Sequence, residues 1–357
     1  AWRVGCRALC GRCCGADRVR RVALKGLADN MAEMAALLAL VDNLAGWRVA
    51  VVGDVILDEY LIGNAQRLSR EAPIPVLEFE RREVIPGGAA NPAANIAALG
   101  SFAQQVAVVG ADENGATLRD LLAERGILTD GLVTDATRQT TTKTRIMAQI
   151  GLRFPQQVAR LDRVDRSLIR AELAALLVER LQAPQQAVIC SDYLNGLLTA
   201  EVVAGVRALS ALRVADAQGE LDKYSGFDVV KCNADEAARA LGRALHSDAE
   251  FADAAHALVR RLDLRRGVCL TRGSAGITVA SETGVKHVRA PQVEDVFDTV
   301  GAGDTVVAVV TLALLAGADL ATAAALATFA AGIVIRRVGN YAPSRAELAA
   351  EIAAHST

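Results

Sequence analysis

The chain is poor in aromatic side chains and carries almost no net charge, and both absences argue against particular classes of partner. Tyr, Trp and Phe make up 4% of its 357 residues, and the formal net charge is −2. Nucleic-acid binding needs basic surfaces, and single-strand binding adds aromatic platforms. The longest apolar run, 305–315, is too short to span a bilayer. The sequence predicts a cytoplasmic protein with no nucleic-acid or membrane partner.

Several common catalytic motifs are also missing. The sequence contains no G-x4-G-K-[ST] phosphate loop, no G-x-G-x-x-G after the first predicted strand, no H-E-x-x-H and no G-x-S-x-G. It has only four histidines, and none lies in a polar cluster. P-loop, zinc-protease and serine-hydrolase chemistry are therefore excluded, and nicotinamide binding is disfavoured.

The seven cysteines fall into two groups. Cys190, Cys232 and Cys269 lie in apolar segments, which predicts buried thiols in a reducing compartment. The other four crowd the first fourteen residues: Cys6, Cys10, Cys13 and Cys14. The first three of these have the C-x3-C-x2-C spacing of some iron–sulfur enzymes.

The residues around that cysteine cluster favour a simpler interpretation. Seven basic residues but only one acidic residue, Asp17, precede residue 26. Arg12, not an aromatic residue, precedes Cys13. We predict a disordered basic leader at 1–30, with the functional protein beginning near Met31 or Met34. Loss of folding or activity on deleting 1–30 would contradict this prediction.

The hydrophobic pattern predicts an α/β fold. Short β-branched runs such as 47–52 alternate with helical segments, which is typical of a mostly parallel sheet covered on both faces. Two more polar segments, about 58–82 and 138–162, alternate like edge strands and predict a small sheet beside the core. We expect one large domain over 31–350 with this sheet as a lid.

In the second half of the chain, periodicity gives individual elements. It predicts helices at 167–182, 200–209, 235–242, 249–262, 303–316 and 319–335, the last two ending the chain. A hairpin over 277–290 is predicted to turn at Thr283-Gly284.

Polar residues follow several predicted strands. They are Gly53-Asp54, Ser191-Asp192, Asp216, Asn233 and Thr271-Arg272-Gly273. In open α/β sheets, ligands bind beyond the carboxyl ends of the strands. Each residue alone could equally be a helix cap or a turn residue.

The stretch DVFDTVGAGDTVVA, 295–308, has the composition of an anion-binding helix start. Gly301, Ala302 and Gly303 let the backbone approach a ligand, and free N–H groups at a helix start attract an anion. A carboxylate beside such a site is unfavourable unless it does chemistry, so Asp304 is a candidate base for an attacking hydroxyl. The alternative is a glycine-rich cap with Asp304 in the first turn.

A second glycine cluster, PGGAANPAANIAALG, spans 86–100. Gly87 and Gly88 permit close backbone contact, and the amide of Asn91 suits sugar hydroxyls. The alternative is tight packing of a helix on a strand.

Together these segments resemble the ribokinase-like (PfkB) family of carbohydrate kinases over about 45–350. DTVGAGD (298–304) and PGGAAN (86–91) resemble the two family signatures. The resemblance implies a three-layer α/β/α sandwich with a β-sheet lid that often mediates dimerisation. It also implies ATP-dependent phosphorylation of a sugar or sugar phosphate, with Mg²⁺ and possibly a monovalent cation.

Within the family, the likeness is greatest to kinases that phosphorylate D-glycero-D-manno-heptose 7-phosphate at the anomeric position. The supporting segments are GDVILDEYLIGNAQRLSREAPIPVLE (53–78), PGGAANPAANIAALG (86–100), PQQVARLD (155–162), SDYLNG (191–196) and FDTVGAGDTV (297–306).

The resemblance assigns roles to individual residues. Asp304 would be the base, and Gly301, Ala302 and Gly303 the anion hole. Asp58, Gly87, Gly88 and Asn91 would bind the sugar, with Asp192 and Arg160 as further substrate-binding candidates. Asn233 and Glu236, in N-x-x-E, would organise the Mg²⁺–phosphate region, with Glu236 an indirect metal ligand. Thr271, Gly273 and Gly276, in TRGSAG, match the nucleotide strand and turn.

The chain differs from the heptose kinases at positions expected near the phosphates, where two lysines are replaced. Asn195 stands where those kinases usually have Lys, Gln218 replaces the Lys of D-P-K-G, and K-C-N (231–233) replaces T-P-N. Five other basic residues remain candidates for a sugar phosphate: Arg67, Lys143, Arg145, Arg153 and Arg160.

Three functional alternatives stay open on the sequence. The chain could be a kinase for another sugar, a non-catalytic sugar or nucleotide sensor, or, more weakly, a nicotinamide-dependent enzyme. A sensor would not need Asp304 as a base. The nucleotidyltransferase domain of bifunctional relatives is not expected here.

Overall fold

The computed structural model describes residues 31–149, 151, 155–293 and 295–355. The predicted leader with Cys6, Cys10, Cys13 and Cys14, and the candidate Arg153, lie outside them.

Two sheets contain the strands of this part of the chain. In chain order the strands are β1 (Arg48–Gly53), β2 (Val55–Leu68), β3 (Pro75–Gly88), β4 (Phe102–Gly110), β5 (Leu132–Asp135), β6 (Thr142–Gln149), β7 (Gln156–Arg163), β8 (Ala187–Asp192), β9 (Leu212–Ala217), β10 (Val229–Asn233), β11 (Gly267–Thr271), β12 (Ile277–Ser281) and β13 (Gly284–Val288). The larger sheet has the order β13-β12-β11-β10-β9-β8-β1-β4-β5, and the smaller one β3-β2-β6-β7.

The larger sheet is parallel from β5 to β11 and ends in the antiparallel pair β12 and β13. Its central strands are apolar on both faces, as expected for a parallel sheet covered by helices. Val49 to Val52 on β1, and Val188 to Cys190 on β8, are at most 1% exposed. The predicted fold class, a ribokinase-like α/β fold with a large mostly parallel sheet and a smaller sheet, is confirmed.

Helices connect these strands. They are α1 (31–42), α2 (Ala90–Ala98), α3 (Glu113–Glu124), α4 (Ala171–Arg180), α5 (Ala200–Arg207), α6 (Ala234–Leu241), α7 (Asp248–Arg261), α8 (Ala302–Leu315), α9 (Leu320–Val334) and α10 (Arg345–Ala354). No helix in the described ranges is long and apolar enough to cross a membrane.

Three sequence predictions about elements were wrong. The chain does not end with the helix at 319–335, because α10 follows it, capped by Ser344 and Glu347 in a capping box. The helix predicted to start at 167 begins at Ala171. The hairpin turns at 282–283, one residue earlier than predicted, since Ser281 pairs with Gly284.

The small sheet begins next to the carboxyl ends of the parallel strands of the large sheet. β2 begins at Val55, two residues after β1 ends, and pairs with β3 and β6. Asp58 lies beside Lys143, and Tyr60 beside Arg145. The junction between β1 and β2 therefore places polar residues of the small sheet near the ends of the parallel strands.

Candidate active site

Asp304 lies in the first turn of α8 with both carboxylate oxygens hydrogen-bonded. Gly301 caps the helix with φ +82°, a conformation that favours glycine. Asn91 Nδ2 donates to Asp304 Oδ2 at 2.9 Å, and the Tyr193 hydroxyl donates to Oδ1 at 2.8 Å. Burial, reinforced by the charge of Asp216, raises the pKa of Asp304 to about 6. A pKa near neutrality suits a general base.

A chain of neutral side chains holds Asn91 in place. Thr305 Oγ1 donates to Asn95 Oδ1, and Asn95 Nδ2 donates to Asn91 Oδ1 and to its backbone carbonyl. Asn91 is 1% exposed. The amide that the sequence assigned to the sugar is therefore placed against the base.

A polar cavity of about 170 Å³ opens beside the start of α8. Its walls carry residues from the ends of three parallel strands, β8, β9 and β10, from α6 and from the start of α8: Asp192, Tyr193, Asp216, Gln218, Lys231, Asn233, Glu236, Gly301, Gly303 and Asp304. The structure thus brings together predicted residues separated by more than a hundred positions.

Lys231 supplies a buried cation in this cavity that sequence reasoning missed. Its ammonium lies 2.8 and 3.0 Å from the two carboxylate oxygens of Asp216. Burial alone would lower the pKa of Lys231, but the Asp216 carboxylate outweighs it and raises that pKa. A Cβ on Gly303 would lie 2.7 Å from Lys231 Nζ, so the glycine leaves room for the ammonium at the helix start.

Asn233 and Glu236 form a capping box at the start of α6. Asn233 Oδ1 accepts from the Glu236 backbone N–H at 2.8 Å, and Glu236 Oε2 accepts from the Asn233 N–H at 2.6 Å. Burial raises the pKa of Glu236. This capping role does not prevent contact with a ligand, because both residues also line the polar cavity.

A second, mainly apolar cavity of about 700 Å³ lies on the other side of the helix start. Thr271, Gly273 and Gly276 line it together with the first turn of α8. Gly303 lines both cavities. The volume is within the usual range for small-molecule and cofactor sites.

Asp58, a predicted sugar-binding residue, is held by two partners. Arg145 donates to its Oδ1 at 2.6 Å, and Asn340 donates to its Oδ2 at 2.9 Å. A Cβ on Gly87 would lie 2.0 Å from Asp58 Oδ2, and one on Gly88 would lie 2.4 Å from the Asp54 carbonyl. The two glycines therefore allow β3 to pass close to Asp58 and the end of β1. Asn340 was not predicted.

The remaining substrate candidates lie in different settings. The buried carboxylate of Asp192 accepts from Lys223 Nζ at 3.0 Å, from the Tyr224 hydroxyl at 2.5 Å and from the Leu194 N–H. Arg160 is exposed on β7, where it pairs with Asp162. It stands opposite Arg145 in the register of β6 and β7.

The positions that lack the expected lysines also lie near the site. Gln218 lines the polar cavity together with Lys231. The Asn195 backbone N–H donates to Asp54. A cation is therefore present in the polar cavity although residue 218 is uncharged.

A buried carboxylate at a glycine-rich helix start, between a polar cavity and a nucleotide-sized one, is the arrangement expected of a phosphotransferase. The chain belongs to the pfkB family of carbohydrate kinases, whose model matches residues 48–347. It is thus a sugar kinase, and its family implies ATP and a divalent cation.

Curated relatives share this region. The bifunctional protein HldE of Caulobacter vibrioides is 40% identical over 325 residues, covering 88% of this chain and 65% of that protein. HldE of Citrifermentans bemidjiense is 38% identical over 314 residues, covering 85% of this chain and 63% of that protein. The chain thus matches less than two thirds of the length of these relatives.

Solved structures share the fold. The ribokinase of Arabidopsis thaliana complexed with ribose and ATP gives a TM-score of 0.67 at 16% identity, covering 86% of this chain and 99% of that chain. Phosphofructokinase-2 of Escherichia coli in complex with substrates and products gives 0.70 at 21% identity, covering 87% and 100%.

Proposed function

We propose that this sugar kinase transfers a phosphoryl group from ATP to D-glycero-β-D-manno-heptose 7-phosphate, giving the 1,7-bisphosphate. The observation that carries the kinase mechanism is the position of Asp304, a buried carboxylate at a helix start between a polar cavity and a nucleotide-sized one. The sugar assignment is supported by the HldE relatives and by the heptose-kinase-like segments of the sequence.

Asp304 acts as the general base in this proposal. Its carboxylate takes the proton of the acceptor hydroxyl as that oxygen attacks the γ-phosphorus of ATP, and the bond from this phosphorus to the ADP oxygen breaks. The backbone N–H groups of Gly303 and Asp304, which a helix leaves without intrahelical acceptors, face the charge that develops on the transferred group. The Lys231 ammonium lies beside them and adds a positive charge at the same place.

The residues of the polar cavity fit a Mg²⁺ ion that keeps most of its waters. Among the described residues no group of three His, Cys, Asp or Glu side chains forms a metal cage. Mg²⁺ is usually held by one or two carboxylates together with substrate phosphates. Glu236 would hold it here, directly or through water, and the ion would neutralise phosphate charge. A monovalent cation remains a prediction.

The sugar side combines an acceptor with cations. Asp58 accepts hydrogen bonds and suits sugar hydroxyls. Arg145 is bonded to Asp58, and Lys143 lies 5.6 Å from the centre of the Tyr193 ring. We therefore propose that these cations, with Arg160 further out on β7, bind the distal phosphate of the substrate.

ADP release from Mg·ATP across a panel of sugars and sugar phosphates, including heptose 7-phosphate, tests the proposal. Asp304→Asn should lower kcat by about 10²–10⁴-fold, because a general base contributes that much. Asp319→Asn is a matched control, since Asp319 caps the neighbouring α9. Turnover of another sugar only would replace the heptose. ATP binding without turnover of any sugar would favour the sensor.

We further propose a cytoplasmic homodimer formed through the small sheet. Five large apolar side chains on its strands and loop are exposed: Leu68, Ile74, Phe79, Val158 and Leu161. Cys190, Cys232 and Cys269 are buried free thiols, which suits a reducing compartment.

A further inference from the structure

Tyr193 touches the catalytic carboxylate although no predicted role included it. Its hydroxyl donates to Asp304 Oδ1 at 2.8 Å, opposite the bond from Asn91. The phenol cannot act as the base, because burial and the neighbouring Asp304 raise its pKa well above the ordinary value. Its contribution to the site is therefore a fixed hydrogen-bond donor.

The loop that carries Tyr193 is hydrogen-bonded through its backbone to the carboxylate of Asp54. Asp54 Oδ2 accepts from the backbone N–H groups of Tyr193 at 3.0 Å and Asn195 at 3.1 Å, and Oδ1 accepts from Leu197 at 3.3 Å. Asp54 is 5% exposed. The loop also contains Leu194 at φ +57°, an unfavourable conformation for a non-glycine residue. The three bonds compensate for that strain.

Asp54 also reaches the other donor to Asp304. Its backbone carbonyl accepts from the N–H of Ala89 at 3.0 Å, at the start of α2, which carries Asn91. One residue at the end of β1 is thus bonded to both segments that hold the catalytic carboxylate.

We propose that Asp54 and Tyr193 are positioning residues: Asp54 fixes the loop 193–197, and the Tyr193 hydroxyl keeps Asp304 ionised and aimed at the acceptor hydroxyl. The inference rests on the proposed kinase mechanism but makes a separate claim about the free protein. The charged groups that face Asp304 are Asp216 on β9 and Lys231 on β10. Asp58 and Asp216 are the other carboxylates near the Tyr193 phenol, and Lys143 lies over its ring.

The first test measures the carboxyl group without turnover. Protein labelled with ¹³C at Asp Cγ is titrated by NMR, with the Asp304 signal assigned by its loss in Asp304→Asn. Tyr193→Phe removes one donor to the ionised form, so the pKa of Asp304 should rise by about one unit or more. Tyr341→Phe is the matched control, because Tyr341 donates to Glu347, and should leave this titration unchanged.

The second test is the pH profile of kcat on the substrate found for the wild type. If the pKa rises from about 6 to roughly 7, Tyr193→Phe should lose about fivefold at pH 6 and almost nothing at pH 8. A purely structural defect would lower kcat equally at both pH values. An equal loss, or an unchanged Asp304 titration, would overturn the proposal.

Asp54→Ala tests the loop. The methyl group accepts none of the three backbone N–H groups, so Tyr193 should be released and the Asp304 titration should shift in the same direction. The double variant should resemble Tyr193→Phe alone, because both changes act through one hydrogen bond. Additive shifts would show that Asp54 does not act through Tyr193.

Burial also raises the pKa of Asp54 to about 6, so its signal is followed in the same spectra. If Asp54→Ala does not fold, Tyr193→Phe still decides the role of the phenol. A shifted Asp304 titration in a protein that phosphorylates no sugar would overturn the proposed function. The proposed positioning of Asp304 by Asp54 and Tyr193 would still hold.

Discussion

Asp304 is held ionised at a cost in stability, and this cost has a testable sign. Its pKa is raised from 3.8 to about 6 in the folded protein. The folded chain therefore binds a proton more tightly than the unfolded chain, and stability falls as pH rises through that interval. The loss of stability is nearly complete above about pH 6, and it is absent at pH values below the unfolded-state pKa of 3.8.

Asp304→Asn should therefore be more stable than the wild type at about pH 8, by at most roughly 3 kcal/mol. Asparagine has one accepting oxygen instead of two, so one of the bonds from Asn91 and Tyr193 is lost or reversed in the variant, which reduces the gain. The advantage should shrink towards about pH 4.5, where the wild-type carboxyl is protonated. Urea unfolding at the two pH values measures it. A variant that is less stable at both would contradict this assignment of the pKa.

Two variants can separate the ion pair of Lys231 with Asp216 from the catalytic role proposed for Lys231. Lys231→Met leaves Asp216 as an unpaired buried charge and should cost about 3–5 kcal/mol of stability. Adding Asp216→Asn removes that charge and should restore most of the stability. Turnover should stay low in both variants, because the ammonium beside Gly303 is gone. Full turnover in the double variant would show that Lys231 serves only to neutralise Asp216.

At the residue scale, the candidate residues that could be chosen from the sequence are those that share one short stretch. Glycines next to Asp304 indicate a helix start because small residues and an acid share a short stretch. Tyr193 and Asn340 were missed because their roles depend on contacts across 111 and 282 positions. Neither residue type is unusual in its local sequence, so pattern alone could not identify them.

At the element scale, β3 passes close to β2 beside the site. Asp58 on β2 and Gly87 on β3 are close enough that a methyl group at residue 87 would overlap the carboxylate. Gly87→Ala should therefore displace Asp58 and raise KM for the sugar by about tenfold or more, in line with a lost hydrogen bond to a charged group. ATP affinity, measured by calorimetry, should not change. An equal loss of both affinities would point to a general distortion.

Five helices of the second half of the chain were predicted accurately, whereas a short strand and the last described helix were not. Periodicity located α5, α6, α7, α8 and α9 to within two residues at either end, because each buries one or more faces against the sheet. The strand β5 has only four residues, too few for a period to be recognised. α10 was missed although Ser344 and Glu347 are spaced as a capping box, a signal that the sequence does contain.

At the scale of the whole molecule, the exposed apolar side chains of the small sheet bear on assembly. Phe79→Lys with Leu161→Lys should convert the proposed dimer to a monomer, because two charges would be buried at the contact. Light scattering after gel filtration measures the mass. Leu168→Lys is the control, since Leu168 is equally exposed but lies before α4, outside the small sheet. A monomeric wild type at micromolar concentration would contradict the dimer.

The bond between Asn340 and Asp58 joins positions 282 residues apart. During synthesis, Asp58 emerges 282 residues before this partner exists. Much of the lining of the larger cavity lies between Thr271 and Ile335, so its parts leave the ribosome close together. The cavity proposed for the nucleotide can therefore assemble from neighbouring segments, whereas the site proposed for the sugar is completed only after Asn340, which follows α9, has been made.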